Sequence, residues 1–257
     1  MRPTVLLLTV LLAAGIACGG DDDEFSVFAA VSLRAALEEV AAGFQAEGGD
    51  VDITFNFAAS QQLRFQIEQG APADVFVSAD RAQVALLVDG GLVEGEPVSF
   101  AGNRLVVAVA EGNPGEVATL ADLSMPGLRL VTAGEAVPLG SYAHRALAAL
   151  AIEYGDDFAE RVRANIVSEE ENAEAVVGKV ELGEADAAFV YATDRARLEE
   201  AGATIIEIAG RYQPEVAYLA AAVKGSDRPG LARDFVDFLT SDAAQRIFME
   251  HGFLGVR

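Results

Sequence analysis

Serine residues follow two of the predicted strands, each at the point where a helix begins. Ser32 comes after the apolar run 27–31 and before apolar residues at helical spacing, which predicts a strand, a turn and a helix with Ser32 at its N-cap. Ser60 follows the alternating segment 51–57 in the same way. A helix start presents unpaired backbone N–H groups and the positive end of the helix dipole, and a serine hydroxyl adds a donor. Such a junction can bind an anion without a cationic side chain.

The simpler interpretation is that each serine only caps its own helix. Two further helix starts in the second half of the sequence favour an anion site. One lies at Leu139, where Pro138 and Gly140 are expected to bring the backbone close to a ligand, and the other lies at Ala173. Tyr191 ends an apolar strand, so its hydroxyl either faces a cleft or belongs to half-buried packing.

The composition disfavours several classes of function. The formal net charge of −22 and the lack of a basic stripe disfavour nucleic acid as a partner. The same charge repels a small anion at long range, so an anion site must act through short-range dipoles in a closed pocket. Two histidines and one cysteine disfavour a metal site made of protein side chains. The sequence has no glycine-rich phosphate loop, nucleophile elbow or catalytic carboxylate pair, which disfavours an enzyme.

The N-terminus has the features of a secretion signal. Arg2 precedes the apolar stretch 5–12, which is too short for a confident membrane span. Residues 15–18, Gly-Ile-Ala-Cys, resemble the lipobox of bacterial lipoproteins, and Cys18 has no second cysteine to pair with. We therefore predict that residues 1–24 are a lipoprotein signal peptide and tether. The protein is then exported, and it is either lipid-anchored to the outer face of the cytoplasmic membrane or periplasmic. The alternative is a cleaved signal in which the cysteine is incidental.

Predicted strands and helices alternate along the rest of the chain, which is typical of an α/β fold with largely parallel sheets. In such sheets, ligands bind outside the carboxyl ends of the strands. Two of the helix starts described above come early in the chain and two come after residue 130. We therefore predict two lobes, each of which contributes two helix starts to one shared cleft.

Four segments resemble a known family. They are FAAVSL at 28–33, FAAS at 57–60, GAPADVFVSAD at 70–80 and GEADAAFVYATD at 183–194. These segments are similar to the periplasmic molybdate-binding proteins of ABC importers, in the same order and over nearly all of the chain after the signal. The resemblance implies a two-lobed type II periplasmic-binding-protein fold. Each lobe would be a mostly parallel sheet flanked by helices, with the first lobe at 25–104, the second lobe at 105–215, and the return crossing and rest of the first lobe at 216–257.

The same resemblance implies high-affinity binding of molybdate, or of tungstate, and delivery to a membrane permease by a monomer that has no cofactor. The implied contacts are the hydroxyl and N–H groups of Ser32 and Ser60, the backbone at Leu139, the N–H of Ala173 and the hydroxyl of Tyr191. Molybdate is a dianion that needs only donors, whereas phosphate also needs a buried acceptor, and sulfate must be rejected by size. A solute-binding protein for sulfate or another oxyanion is the nearest alternative, followed by an enzyme on the same scaffold.

Overall fold

The computed structural model describes residues 24–48 and 51–256 of the chain. The strands in this part of the chain are β1 (Glu24–Ala30), β2 (Asp52–Ala58), β3 (Val75–Ser78), β4 (Val93–Asn103), β5 (Leu105–Val109), β6 (Leu130–Ala133), β7 (Ile166–Glu170), β8 (Ala187–Tyr191), β9 (Thr204–Glu207), β10 (Val216–Val223) and β11 (Leu254–Gly255). The α-helices are α1 (Arg34–Gly48), α2 (Ser60–Glu68), α3 (Arg81–Asp89), α4 (Pro138–Tyr154), α5 (Phe158–Ala164), α6 (Ala173–Glu181), α7 (Arg195–Glu200), α8 (Pro229–Phe238) and α9 (Asp242–Glu250).

The strands form two sheets, which we call the sheets of the first and second lobes. The first has the order β11-β4-β10-β3-β1-β2, and the second has the order β7-β6-β8-β5-β9. Helices α2, α3 and α8 pack against the first sheet, and helices α4, α6 and α7 pack against the second. Buried valine, alanine, leucine and phenylalanine side chains fill the space between sheets and helices. The predicted two-lobed α/β fold is confirmed.

The two sheets are mixed, so the prediction of mostly parallel sheets is wrong. Strand β1 is parallel to β2 and β3, and β6 is parallel to β7 and β8. Strands β4, β10 and β11 of the first sheet pair antiparallel, as does β5 of the second sheet with β8 and β9. The cause is the path between the lobes. The chain leaves the first lobe along β4 and returns along the neighbouring β10, so these two strands run in opposite directions.

Gln213 holds the two crossings between the lobes side by side. The first crossing is residue 104, and the second is the segment 208–215 that joins β9 to β10. The Gln213 side-chain amide donates to the carbonyl oxygens of Leu105 at 2.7 Å and Ile208 at 3.0 Å. Its Oε1 accepts from the Leu105 N–H at 2.9 Å. One side chain therefore ties the second crossing to the first residue of β5, which directly follows the first crossing.

Side-chain caps fix two helix starts near the lobe boundary. Asp80 accepts a hydrogen bond from the Gln83 N–H at 2.9 Å and caps α3. Asn172 accepts one from the Ala175 N–H at 2.9 Å and caps α6. Both residues have the short acceptor side chains that the N-cap position favours.

The predicted signal peptide and the predicted lipidation site, Cys18, lie outside the described residues. Glu24, which the sequence analysis assigns to the tether, is instead the first residue of β1 and pairs with Asp52. Within residues 24–48 and 51–256, none of the helices has both the length and the apolar character needed to cross a membrane.

Candidate anion-binding site

The five residues that the sequence analysis selects line one cavity between the two lobes. Ser32 and Ser60 come from the first lobe, and Leu139, Ala173 and Tyr191 come from the second. The other lining residues are small or apolar: Ala30, Val31, Ala58, Ala59, Ala79, Val137 and Pro138. The cavity volume is about 10 Å³, which is the lower limit for a single water molecule. The two lobes therefore lie close together at this cavity.

Helix starts from both lobes converge on this cavity. The 3-10 turn before α1 follows β1, α2 follows β2, α4 follows β6 and α6 follows β7. Each start lies beyond the carboxyl end of a strand, where the first backbone N–H groups of the helix have no partner in the helix itself. The aligned helix dipoles add partial positive charge at the same place. The backbone alone therefore makes this cavity favourable for an anion.

Ser32 does not occupy the N-cap position predicted for it. Ala30 occupies that position, and Val31–Leu33 form a 3-10 turn before α1, without a side-chain capping hydrogen bond. The Ser32 Oγ lies 3.5 Å from the Oη of Tyr218 instead. Because Tyr218 Oη already accepts from the Asn103 amide at 3.2 Å, it can give its own proton to Ser32. The Ser32 hydroxyl proton then remains available to a ligand.

Ser60 is arranged similarly with a different partner. It is the first residue of α2, after Ala59 at the cap position, and it is buried. Its Oγ accepts a hydrogen bond from the backbone N–H of Ala79 at 3.0 Å. A hydroxyl that accepts in this way still has its own O–H to donate. Both serines can therefore act as donors toward the cavity.

The Tyr191 hydroxyl is a buried donor that lacks a protein partner. The side chain is only 1% exposed, and no atom of the described residues hydrogen-bonds its Oη. Burial raises the pKa of Tyr191 well above its usual value, and the nearby Tyr218 raises it further. The hydroxyl is therefore protonated at neutral pH. Since an unpaired buried hydroxyl is costly, an acceptor placed in the cavity would gain a hydrogen bond here.

Leu139 and Ala173 can contribute only backbone groups. Leu139 is the second residue of α4 and Ala173 is the first residue of α6, so the N–H group of each lacks a partner within its helix. Next to Leu139, a Cβ atom added to Gly140 would lie 2.2 Å from the carbonyl oxygens of Ala133 and Gly134. The close backbone approach expected at Gly140 is therefore to the protein's own chain, and it seats α4 against the end of β6.

Charged side chains lie in a second cavity of about 240 Å³ that shares Val31, Ser32 and Ala173 with the first. Its charged and titratable lining residues are Arg34, Glu174, Asp194, Arg197 and His251. Burial raises the pKa of Asp194 to about 7, although the guanidinium of Arg197 opposes that shift. The described residues contain no cluster of three or more His, Cys, Asp or Glu side chains that could hold a metal ion. The first cavity is thus lined by neutral residues.

Comparisons with known proteins give the family. The model of the bacterial extracellular solute-binding proteins matches residues 25–254. The chain belongs to this family. The molybdate-binding protein ModA of Mycobacterium bovis is 36% identical over 267 residues, which cover 97% of this chain and 96% of that protein. The resemblance to molybdate-binding proteins is therefore confirmed.

Two solved structures show the same fold as this solute-binding protein. The periplasmic molybdate-binding protein of Azotobacter vinelandii has a TM-score of 0.77 at 22% identity, over 91% of this chain and 100% of that one. The sulfate-binding protein SubI of Mycobacterium tuberculosis has a TM-score of 0.79 at 21% identity, over 91% of this chain and 87% of that one. At such identities the likeness establishes the fold and not the ligand.

Sequence reasoning did not identify the groups that hydrogen-bond the two cavity serines of this solute-binding protein, directly or through a second side chain. Tyr218 carries the one hydroxyl in the otherwise apolar strand β10, and a buried hydroxyl of this kind needs a partner, which is a usable signal. Asn103 and Ala79 gave no comparable signal. Their roles depend on which strand ends meet, and that is known only once the sheets are assembled.

Proposed function

We propose that this protein binds molybdate, or tungstate, outside the cytoplasm and delivers it to the membrane permease of an ABC importer. The observation that carries this proposal is the donor-only lining of the cavity between the lobes. The hydroxyls of Ser32, Ser60 and Tyr191 and the helix-start N–H groups can all donate, and no carboxylate is among the lining residues. Hydrogen bonds to a charged acceptor contribute about 1.5–3 kcal/mol each, so several of them support tight binding.

Protonation state and size distinguish the candidate oxyanions. Phosphate keeps a proton near neutral pH and needs a strong acceptor for it, and no carboxylate is among the lining residues. Molybdate, tungstate and sulfate are all fully deprotonated and satisfy the donors. Molybdate and tungstate nearly coincide in size, whereas sulfate is smaller, so we propose that size distinguishes sulfate from the two larger anions. The name of the 36% identical relative supports the larger anion.

The lobes are proposed to move as two units. Residues 25–104 together with 216–257 form one unit, residues 105–215 form the other, and the oxyanion is enclosed between them. Closure brings together surfaces of both lobes, and we propose that the permease recognises this combined surface. We further propose that the protein acts as a monomer without a cofactor, and that it is not an enzyme, because the cavity lining contains no acid–base pair to activate its serines.

Titration calorimetry of the soluble form beginning after Cys18 tests this function. Molybdate and tungstate are expected to bind tightly, sulfate more weakly, and phosphate not measurably. A ligand at a thousand times its dissociation constant adds about 4 kcal/mol to the free energy of unfolding, so molybdate should also raise the melting temperature. If sulfate binds more tightly than molybdate, the ligand of this protein is sulfate, which is the alternative given above. Absence of binding by all four anions would end the oxyanion proposal.

We also propose that the protein is anchored to the membrane by a lipid on Cys18. The support is the signal-like apolar stretch before the cysteine and the lack of any second cysteine in the sequence. A Cys18→Ser variant should appear in the soluble fraction or remain unprocessed, because the modified thiol is lost. Fractionation and processing identical to those of the unaltered protein would mean that the cysteine is incidental.

A further inference from the structure

One buried hydroxyl bridges the two lobes beside the anion cavity. Tyr142 lies on α4 of the second lobe and is only 2% exposed. Its Oη donates to the carbonyl oxygen of Ala79 at 3.1 Å and accepts from the N–H of Ala217 at 3.3 Å. Ala79 directly follows β3, and Ala217 lies in β10, so both partners belong to the first lobe. Tyr142 itself does not line the anion cavity.

The bridge is connected to groups that face the cavity. The peptide N–H of Ala79 donates to Ser60 Oγ, while the Ala79 carbonyl accepts from Tyr142. Tyr142 is three residues after Leu139, so it lies on the same side of the same helix start. Ala79 therefore hydrogen-bonds both Ser60, a proposed ligand donor of the first lobe, and α4, the helix whose Leu139 N–H is a proposed donor of the second lobe.

The surroundings keep the Tyr142 hydroxyl protonated. Burial raises the pKa of Tyr142 to about 12, and the charge of Asp80 adds to the increase. The Arg145 guanidinium, which lies 4.4 Å from the ring centre, lowers the pKa but does not outweigh burial. The hydroxyl can thus donate to Ala79 throughout the physiological pH range.

We propose that Tyr142 is a positioning residue that latches the lobes in the closed form without touching the ligand. This inference rests on the proposed function, because it assumes an oxyanion over which the lobes close. When the lobes separate, water can hydrogen-bond the Tyr142 hydroxyl, the Ala79 carbonyl and the Ala217 N–H. When they close without the hydroxyl, the two backbone groups lose water and gain no partner. Removal of the hydroxyl therefore penalises only the closed form.

The test compares Tyr142→Phe with Tyr154→Phe. Both variants lose one hydroxyl from α4, but Tyr154 is the last residue of that helix, and its ring packs at a tilted angle against Phe158 instead of near Ala79. We expect Tyr142→Phe to weaken molybdate binding about tenfold, with faster dissociation and nearly unchanged association. The ratio of molybdate to sulfate affinity should not change, because the hydroxyl does not contact the anion. Tyr154→Phe should bind like the unaltered protein.

Small-angle X-ray scattering of the same proteins separates a latch from a general loss of structure. Molybdate should reduce the radius of gyration of the unaltered protein, and Tyr142→Phe should need a higher molybdate concentration for the same compaction. Equal affinity and equal compaction of Tyr142→Phe would overturn the latch, as would a changed molybdate-to-sulfate ratio. No molybdate binding by the unaltered protein would instead overturn the proposed function, and the latch with it.

Discussion

Replacement of Tyr191 by phenylalanine should change ligand binding and the stability of the ligand-free protein in opposite directions. The Tyr191 hydroxyl is buried and has no protein partner among the described residues. An unpaired buried polar group costs about 1–3 kcal/mol. Because the adjacent cavity of about 10 Å³ has room for about one water molecule, the cost here lies near the low end of that range. Tyr191→Phe should therefore leave the free energy of unfolding unchanged or raise it by about 1 kcal/mol.

The same change removes one charge-assisted donor from the proposed oxyanion site. We expect molybdate affinity to fall by about 1.5–3 kcal/mol, which is about tenfold to somewhat over a hundredfold. The helix starts and both serines stay in place, so binding should be weakened rather than abolished. Calorimetry well below the melting temperature measures the affinity, thermal melts without ligand measure the stability, and Tyr154→Phe is the matched control. A variant with a lower melting temperature and unchanged affinity would refute the reasoning, since the hydroxyl would then have a structural role and not a ligand-binding one.

Three further predictions concern residues in or beside the two cavities. Ser60→Ala should destabilise the ligand-free protein more than Ser32→Ala does, because only Ser60 accepts a hydrogen bond from a backbone N–H, that of Ala79 at 3.0 Å. Thermal melts of the two variants that gave the opposite order would contradict this. Gly140→Ala should lower the free energy of unfolding by about 2–3 kcal/mol and weaken molybdate binding, since the added Cβ would lie 2.2 Å from two carbonyl oxygens. An unchanged free energy of unfolding in denaturant would contradict this packing. The Asp194 pKa of about 7 lies above its ordinary value of 3.8, so the folded protein holds a proton that the unfolded chain releases. The free energy of unfolding should thus fall as the pH rises from about 4 through 7. The loss should be about 1–2 kcal/mol, because solvent reaches part of this residue. Asp194→Asn should remove the loss, which melts at pH 5 and pH 8 would measure.

The cavity residues were predictable because they follow strand ends in a repeated local pattern. Ser32, Ser60, Leu139 and Ala173 each stand at a helix start, and Tyr191 ends an apolar strand. Those signals lie within a few residues of sequence, so periodicity and helix-start rules detect them. That these residues bind the ligand remains a prediction, although the structure brings all five to one cavity.

The features that sequence reasoning missed depend on distant pairings. The orientation of β10 relative to β3 and β4 follows from the path between the lobes, which local periodicity does not encode. The Ser32 hydroxyl was assigned to a helix cap because the contact with Tyr218 joins residues 186 positions apart. Glu169 and Glu170, whose charges disfavour a strand in the sequence, belong to β7, which is an edge strand. Edge strands accept charged side chains because one side faces solvent.

Gln213, which ties the second crossing to the start of β5, limits how the two connections between the lobes can move. Three hydrogen bonds hold segment 208–215 beside the start of β5, so the two connections cannot slide past each other while these bonds persist. In the lobe movement proposed above, the connections can therefore bend but not slide, and the expected motion is a rotation about them. Because displacement grows with distance from the axis of such a rotation, a small backbone change at residue 104 and at the second crossing would give the largest gap at the opposite rim of the cleft. A wide opening would then require changes in only a few backbone torsions.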